Sequence, residues 1–215
     1  MDLLKTKLAK AGIKYSKSQI EVFQKFHALL LKWNKRTNLI SSADQFKIVE
    51  RHFMESLAVL VSFKIERAST VLDVGSGAGF PAIPISILRP DLKFLLVESK
   101  RIKALFLKHV LAQLNLINMS VVNQRCEKIA VDRNYQQCFD FVFIRAVGRL
   151  SLVYKWVQNL IKHDGQIIIW KGGNVDNELN ELVAQFGEMH IEQVAMDDRF
   201  VSREKSKIFV AIKQK

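Results

Sequence analysis

The chain has 215 residues, of which 49% are hydrophobic and 25% are charged. This composition is typical of a globular protein and excludes a disordered or collagen-like chain. The 33 Lys and Arg residues outnumber the 21 Asp and Glu residues, which gives a formal net charge of +12. Such an excess favours a polyanionic partner, most simply a nucleic acid, over a basic protein that has no such partner.

The two cysteines, Cys126 and Cys138, form neither a metal-binding pattern nor a disulfide framework. No apolar run approaches the roughly 18 residues that a membrane helix needs. Residues 1–5 also lack the apolar core of a secretion signal. We therefore expect a cytoplasmic protein with no bound metal and no membrane partner, and we take it to be a monomer.

Residues 2 to about 65 show helical spacing throughout. After a short first helix, Ser16 or Ser18 is expected to cap a second helix that is long and amphipathic. A third helix is predicted from Asp44, as its N-cap, to Phe63. The apolar face of this third helix would carry Phe46, Val49, Phe53, Leu57 and Leu60.

From residue 66 onward, short apolar strands alternate with helical segments. The predicted strands are 70–74, 93–98, 119–123, 139–144, 166–170, 189–196 and 206–213. The predicted helices are 81–89, 100–115, 148–162 and 175–187. Strands separated by helices indicate a parallel sheet covered on both faces, whereas the last two strands, joined by a charged link, should pair antiparallel. We expect a helical N-terminal extension, residues 1–65, and one compact α/β domain, residues 66–215, with a seven-stranded, mostly parallel sheet whose last strand is antiparallel.

A glycine-rich turn follows the first strand. It reads Asp73-Val74-Gly75-Ser76-Gly77-Ala78-Gly79-Phe80-Pro81. A dinucleotide site needs its last glycine where this chain has Phe80, and the Asp73 carboxylate would repel a pyrophosphate. S-adenosylmethionine (SAM) has no phosphate and carries a sulfonium and an ammonium group. The pattern therefore favours SAM, bound by Asp73, Gly75, Gly77, Gly79 and Phe80, with a dinucleotide site or a purely structural turn as the alternatives.

Acidic side chains follow the next two strands, at the sheet edge where α/β proteins bind ligands. Glu98 ends the second strand and could accept hydrogen bonds from both ribose hydroxyls, although a solvated helix-start residue is the alternative. Cys126 and Glu127 follow the third strand, in a loop at the same edge of the sheet, where they could contact the adenine of SAM. Glu127 could instead be an acid placed favourably at a helix N-terminus.

Basic residues follow the fourth and fifth strands at the same edge. Arg145 could bind the SAM carboxylate or an RNA phosphate, or form a structural salt bridge. Lys171 could position the substrate, or be a solvated loop residue. Further basic residues, among them Lys35, Arg36 and Lys103, could follow an RNA backbone. No residue is assigned as a general base, and His52 is expected to pack rather than to contact RNA.

These motifs together resemble the RsmG (GidB) methyltransferases over essentially the whole chain. The matching stretches are Trp33-Asn34-Lys35-Arg36-Thr37-Asn38-Leu39-Ile40-Ser41, Arg51-His52-Phe53-Met54-Glu55-Ser56-Leu57, the glycine turn, Glu98-Ser99-Lys100-Arg101, Arg125-Cys126-Glu127, Arg145-Ala146 and Lys171-Gly172. Four residues depart from the family pattern: Ala82 replaces a glycine, Glu55 an aspartate, Ile40 a threonine and Cys126 an alanine.

The resemblance implies a Rossmann-like class I SAM-dependent methyltransferase fold. It also implies methylation of N7 of guanine 527, in the 530 loop of 16S rRNA, in free rRNA or in the 30S subunit. The SAM contacts would fall on Gly75, Phe80, Cys126, Glu127 and Arg145. Guanine N7 is an unprotonated lone pair, which agrees with the absence of an assigned base. The alternatives are a methyltransferase for a small molecule or a protein, and a non-catalytic SAM-sensing or RNA-binding module.

Overall fold

The computed structural model describes residues 1–201 and 207–213, and a seven-stranded sheet forms its centre. The strands are β1 (Thr70–Val74), β2 (Lys93–Val97), β3 (Met119–Val122), β4 (Phe139–Arg145), β5 (Ile161–Gly172), β6 (His190–Ala195) and β7 (Lys207–Lys213). Their order is β3-β2-β1-β4-β5-β7-β6, and β7 runs antiparallel to both of its neighbours. The prediction of a mostly parallel sheet with an antiparallel last strand is confirmed, while Ser206, its predicted first residue, lies outside the described residues.

Helices cover both faces of the sheet. They are α1 (Asp2–Lys10), α2 (Lys17–Thr37), α3 (Glu55–Leu57), α4 (Val59–Ser62), α5 (Ala82–Leu88), α6 (Arg101–Leu114), α7 (Cys126–Ala130), α8 (Leu150–Val157) and α9 (Asp176–Phe186). Side chains of α2, α5 and α6 share one apolar core with Val71 of β1, whereas α7, α8 and α9 share the other with Leu72 and Val74. Alternate residues of a strand point to opposite faces, so β1 is buried on both sides. None of the helices in the described part of the chain has the length and apolarity to cross a membrane.

The second helix and its return to the sheet are built by short-range hydrogen bonds. The Ser16 hydroxyl accepts from Gln19 N at 3.2 Å, and the Gln19 side chain accepts from Ser16 N at 2.8 Å, which forms a capping box. At the other end, Asn38 adopts a left-handed conformation with φ 44°. The buried Asn34 side chain then accepts from Ile40 N at 2.9 Å. These bonds bring the chain after α2 back over the sheet.

The prediction of one regular third helix is wrong. The segment is a 3-10 helix (Ser42–Lys47), a π-helical turn (Ile48–Met54), and then α3 and α4. Ser41 rather than Asp44 caps it, since the Ser41 hydroxyl accepts from Asp44 N at 3.2 Å. Phe46, assigned to an apolar face, is 94% exposed. The carboxylate of Asp44 pairs with Arg51, which links the 3-10 helix to the π-helical turn in place of one continuous helix. Turns of the π type are frequent at functional sites.

The fifth strand begins earlier than predicted. β5 starts at Ile161 instead of residue 166, and α8 ends at Val157 instead of residue 162. The pairing of β4 with β5 contains an irregularity between Phe139 and Phe141, which lets the strand include the Asp164-Gly165 pair. That pair looks like a turn in sequence, and Asp164 does have a positive φ of 63°. Helix α7, which is not among the four predicted helices, begins after a three-residue loop that follows β3.

Candidate active site

Two cavities open near the carboxyl ends of the parallel strands, where ligands bind in α/β sheets. The larger has a volume of about 590 Å³ and the smaller about 160 Å³, and Gly75 lines both. The other predicted site residues divide between them: Gly77, Phe80, Arg145 and Lys171 line the larger cavity, Cys126 and Glu127 line the smaller, and Asp73, Gly79 and Glu98 line neither. The glycine turn therefore forms a shared wall.

Most N–H groups of the glycine turn are already used within the chain. Gly75 N and Ser76 N donate to Val97 O, Gly77 N donates to Glu98 Oε2, and Gly79 N and Phe80 N donate to Ser76 O, at 2.7 to 3.2 Å. A pyrophosphate at such a turn is bound by unoccupied N–H donors. This turn instead has five of its six N–H groups from Gly75 to Phe80 engaged, above two acidic side chains. The geometry fits the sulfonium and ammonium groups of SAM and disfavours a dinucleotide.

Close packing explains why glycine is needed at two positions of the turn. Gly75 has φ +69°, and a Cβ there would lie 2.6 Å from Val147 Cγ2, in the loop after β4. Gly79 has φ +89°, and a Cβ there would overlap the side chain of Ile83 in α5. Gly77 also has a positive φ, +56°, but a Cβ there would meet only Gly75 O, at 3.7 Å. Gly75 thus allows the loop after β4 to pack against the turn, while Gly79 allows α5 to do so.

Asp73 lies fully buried beneath the turn. Neither carboxylate oxygen has a hydrogen-bond partner among the described residues, and the Ser76 hydroxyl donates to the Asp73 backbone carbonyl instead. Burial raises the pKa of Asp73 to about 7, against the smaller lowering effects of the nearby Ser76 hydroxyl and Ala82 amide. An unpartnered carboxyl group of this kind suits a neighbouring cation, although a contact of Asp73 with SAM stays a prediction.

Glu98 braces the glycine turn. Its Oε2 accepts from Gly77 N at 2.9 Å, and its Oε1 accepts from Lys100 N at 2.7 Å. The side chain is buried, so the alternative of a solvated helix-start residue is wrong. Each carboxylate oxygen keeps a second lone pair, and a bond to the ribose hydroxyls stays a prediction.

The loop after β3 lines the smaller cavity. Cys126 is buried, and that burial raises the pKa of its thiol to about 12. The group is therefore a neutral thiol at physiological pH and not an activated nucleophile. Glu127 is exposed in the first turn of α7, where an acid is also favoured by the helix dipole. Their predicted contacts to adenine remain untested.

One carboxylate, that of Glu55, organises the wall of the larger cavity. Its Oε2 pairs with Arg145 Nη2 at 2.7 Å and with Lys207 Nζ at 2.5 Å, and the side chain is 2% exposed. Trp170 Nε1 donates to the Glu55 backbone carbonyl at 2.9 Å. A residue of α3 thus connects β4, β5 and β7. Burial lowers the pKa of Arg145 and of Lys207, and the charge of Glu55 opposes both shifts.

Arg145 also bonds to the π-helical turn. Its Nη2 donates to Arg51 O at 2.6 Å, and its Nη1 lies 3.3 Å from Ser56 Oγ. The structural salt bridge that sequence analysis left as an alternative is therefore present. A guanidinium has five N–H donors, so a further bond to a ligand remains compatible with this arrangement.

His52 is an uncharged part of the same wall. Its ring stacks on Phe80, with centroids 4.7 Å apart and planes at 15°. Burial, together with the charge of Arg145, lowers the pKa of His52 to about 3. Its Nδ1 lies 3.5 Å from Arg145 Nη2, and its Nε2 lies 3.8 Å from Asp44 Oδ2 without a hydrogen-bond partner. Within residues 1–201 and 207–213, no three His, Cys, Asp or Glu side chains are grouped to hold a metal ion.

Lys171 is neither solvated nor free. Its Nζ bonds to both carboxylate oxygens of Glu178, at 2.7 and 3.0 Å, and to Gly148 O at 3.2 Å. Glu178 Oε2 also accepts from Leu150 N at 2.9 Å, at the start of α8. Lys171 therefore anchors the loop after β4 to α9, and a role in positioning substrate stays a prediction.

Several residues that line the larger cavity were not assigned to the site from sequence. Among them are Leu39, Ile40, Ser41, Asp44, Arg51, His52, Glu55 and Lys207. Most of these fall inside the motifs shared with the family, and the motifs are the sequence signal that points to them. Asp44 lies between two motifs and Lys207 beyond the last one, so only the fold places them at this cavity.

The fold defines a class of protein. A SAM-dependent methyltransferase from Aquifex aeolicus superposes with a TM-score of 0.59 at 17% identity, over 86% of this chain and 97% of that chain. M. jannaschii TYW2, solved in complex with AdoMet, gives a TM-score of 0.55 at 14% identity, over 75% of each chain. The fold is thus that of the Rossmann-like SAM-dependent methyltransferases.

Sequence comparison is more specific. The family model GidB, described as rRNA small subunit methyltransferase G, matches residues 19–205. A relative from Carboxydothermus hydrogenoformans, named ribosomal RNA small subunit methyltransferase G, is 35% identical over 178 residues, 83% of this chain and 75% of the relative. One of the same name from Staphylococcus epidermidis is 36% identical over 181 residues, 84% of this chain and 75% of the relative. The chain belongs to the rRNA small subunit methyltransferase G family.

The Gly75–Val147 contact predicts a difference between two glycine variants. Gly75→Ala should weaken SAM binding by roughly 5- to 150-fold, because overpacking of about 1–3 kcal/mol would displace Val147 from the shared wall. Gly12→Ala is the matched control, since Gly12 shares a positive φ, +72°, has no atom within 4 Å of an added Cβ and lines neither cavity. Calorimetric titration with SAM, after circular dichroism has verified folding, measures both. Equal losses would contradict the packing argument.

The burial of Asp73 predicts a pH-dependent stability. The unfolded chain ionises Asp73 near pH 4, whereas the folded chain keeps its proton until about pH 7. The contribution of Asp73 to the free energy of unfolding should therefore be lost as pH rises from about 4 to 7. Asp73→Asn cannot ionise, so its stability relative to the wild type should increase through that window. Urea unfolding of both proteins from pH 4.5 to 8.5 measures this, and a constant difference would refute it.

The buried charge cluster predicts a large cost for removing Glu55. Glu55→Ala should lower the free energy of unfolding by about 3–5 kcal/mol, because Arg145 and Lys207 would remain buried without their carboxylate. Glu21→Ala, at an exposed position of α2, should change it by less than about 0.5 kcal/mol. Urea denaturation measures both variants, and a loss at Glu55 no larger than the control would show that the cluster adds little.

Proposed function

We propose that this protein transfers a methyl group from SAM to N7 of guanine 527, in the 530 loop of 16S rRNA. The observation that carries the proposal is the family match over residues 19–205. The engaged N–H groups of the glycine turn support SAM as the donor, because five of the six N–H groups from Gly75 to Phe80 are unavailable to a phosphate. The net charge of +12 supports a nucleic-acid substrate over a small molecule or a protein.

The two cavities suit the two halves of the methyl donor. In this proposal the smaller cavity takes the adenine beside Cys126 and Glu127, and the larger takes the methionine part beside Gly77 and Arg145. Glu98, which accepts a hydrogen bond from Gly77 N of the turn, would also bond to the ribose hydroxyls. Gly75, which lines both cavities, would lie against the centre of the ligand.

The chemistry needs placement more than proton transfer. When bound, SAM supplies an electrophilic methyl group on a sulfonium. Guanine N7 already carries a free lone pair, so the chain would have to align the two reactants and keep water away. The neutral imidazole of His52 and the protonated thiol of Cys126 agree with a site that uses no base. We therefore propose no catalytic acid or base.

The charged residues of the larger cavity support RNA as the substrate. Five cationic side chains and two carboxylates line the larger cavity. A positive excess of this kind attracts RNA phosphates. We further propose that the enzyme acts as a cytoplasmic monomer on 16S rRNA or on the 30S subunit. We also propose that residues 1–65 are a helical extension of the methyltransferase domain, residues 66–215.

The proposal is tested with labelled SAM and either naked 16S rRNA or whole 30S subunits. Methyl transfer should occur to one of the two substrates, and chemical cleavage at N7-methylguanine should map it to guanine 527. A transcript with adenine at that position is the matched control and should accept no methyl group there. Tight SAM binding without transfer to either RNA would favour a non-catalytic module. Transfer to a protein or a small molecule instead would identify another substrate class.

A further inference from the structure

Phe46 is the most exposed large hydrophobic residue in the described part of the chain. Its exposed fraction is 94%, while Ile40 and Ile48 on either side of its segment are buried. Single exposed apolar residues are common on protein surfaces, so exposure alone carries no conclusion. The way this ring is held and what surrounds it are more informative.

The backbone that presents Phe46 is fixed at both ends. Ile40 N donates to the buried side chain of Asn34, and the Ser41 hydroxyl bonds to both Asp44 N and Asp44 Oδ2. Asp44 then pairs with Arg51 of the π-helical turn. The segment is therefore ordered while its aromatic side chain points to solvent. Such preorganisation reduces the entropy that a partner must remove on binding.

The segment also forms the rim of the larger cavity. Residues 39–41 and Asp44 line that cavity together with Lys103, and Phe46 follows two residues beyond Asp44. Lys47 follows Phe46 in the chain and is exposed. Lys35 and Arg36, at the end of α2, are exposed as well. An exposed aromatic ring beside cationic side chains is the combination by which proteins bind unpaired RNA, through base stacking and phosphate contacts.

We propose that Phe46 is an RNA-binding residue that stacks on an unpaired base next to the target guanine. The inference rests on the proposed function, because it takes RNA as the substrate. It adds a contact outside the cavity, which would hold the loop in place while the guanine enters. A base is preferred over a protein partner as occupant because Lys47 next to Phe46 is exposed and the neighbouring cavity has five cationic side chains against two carboxylates, which complements phosphate.

The experiment compares three variants of Phe46 with a matched control. Phe46→Ala should raise the KM for the RNA substrate and its dissociation constant by about 5- to 150-fold, the range for losing one base–aromatic stack. Phe46→Trp should retain binding, and Phe46→Leu should fall near Phe46→Ala because it keeps the apolar surface but loses the ring. Ile117→Ala is the control, since Ile117 is 89% exposed but lies just before the amino end of β3, whereas the cavities open near the carboxyl ends of the parallel strands. The KM for SAM should be unchanged in all four.

Salt dependence separates stacking from charge. Phe46→Ala removes no charge, so its loss of affinity should be the same factor at every salt concentration. Lys47→Ala should instead reduce the slope of log affinity against log salt by about 0.7, the value for one phosphate contact on a single strand. Fluorescence anisotropy with labelled rRNA at 50 to 200 mM salt measures both slopes.

Three outcomes decide between the two proposals. Wild-type RNA affinity in both Phe46→Ala and Phe46→Leu, with methyl transfer intact in the wild type, would overturn the stacking contact alone. A loss in Phe46→Ala that Phe46→Leu restores would show a non-aromatic apolar contact and would also overturn it. If the wild type transfers no methyl group to RNA but binds it in a Phe46-dependent way, the stacking contact is supported and the proposed reaction fails.

Discussion

The geometry of the site depends on the ion pairs that the buried Glu55 carboxylate forms. This carboxylate accepts from Arg145 in β4 and Lys207 in β7, while the Glu55 backbone carbonyl accepts from Trp170 in β5. These three strands are neighbours in the sheet, so one residue of the N-terminal region fixes the ends of all three. Removing three ionised groups from water is costly, and close pairing offsets that cost. The cavity wall therefore forms only when the N-terminal region and the sheet pack together.

The same cluster sets the electrical character of the site. Two cations share one carboxylate, so an uncompensated positive charge remains, and it helps keep His52 neutral. Under the proposed reaction, a positive charge moves from sulfur to the guanine ring, and the total charge of the reactants does not change. The cationic wall then contributes to attracting the polyanion more than to lowering the barrier. Under the same proposal, the acids beneath the glycine turn, Asp73 and Glu98, would lie on the donor's side of the site.

The sheet could be predicted closely from sequence, whereas the wall of the cavity could not. Apolar runs bounded by turn residues define the first four strands to within a residue or two, because burial on both faces leaves a strong local signal. The segment 42–62 does not follow the regular helical period predicted for it, because it is divided into a 3-10 helix and a π turn linked by the ion pair between Asp44 and Arg51, and a helical period does not reveal such a pair. Glu55 lies 90 residues from Arg145, so their pairing left no local trace in the sequence. Glu178 is only seven residues from Lys171, but the turn that brings the two side chains together was not predicted.

The shared wall at Gly75 has a consequence for ligand design. Because two cavities of unequal size meet at one glycine, a compound can be assembled from two fragments, each selected separately for its own cavity. Joining them across Gly75 makes the second binding event intramolecular, and a short linker provides an effective concentration in the millimolar range. The linker must be slim where it crosses the turn, since Val147 already packs against Gly75 from the loop after β4.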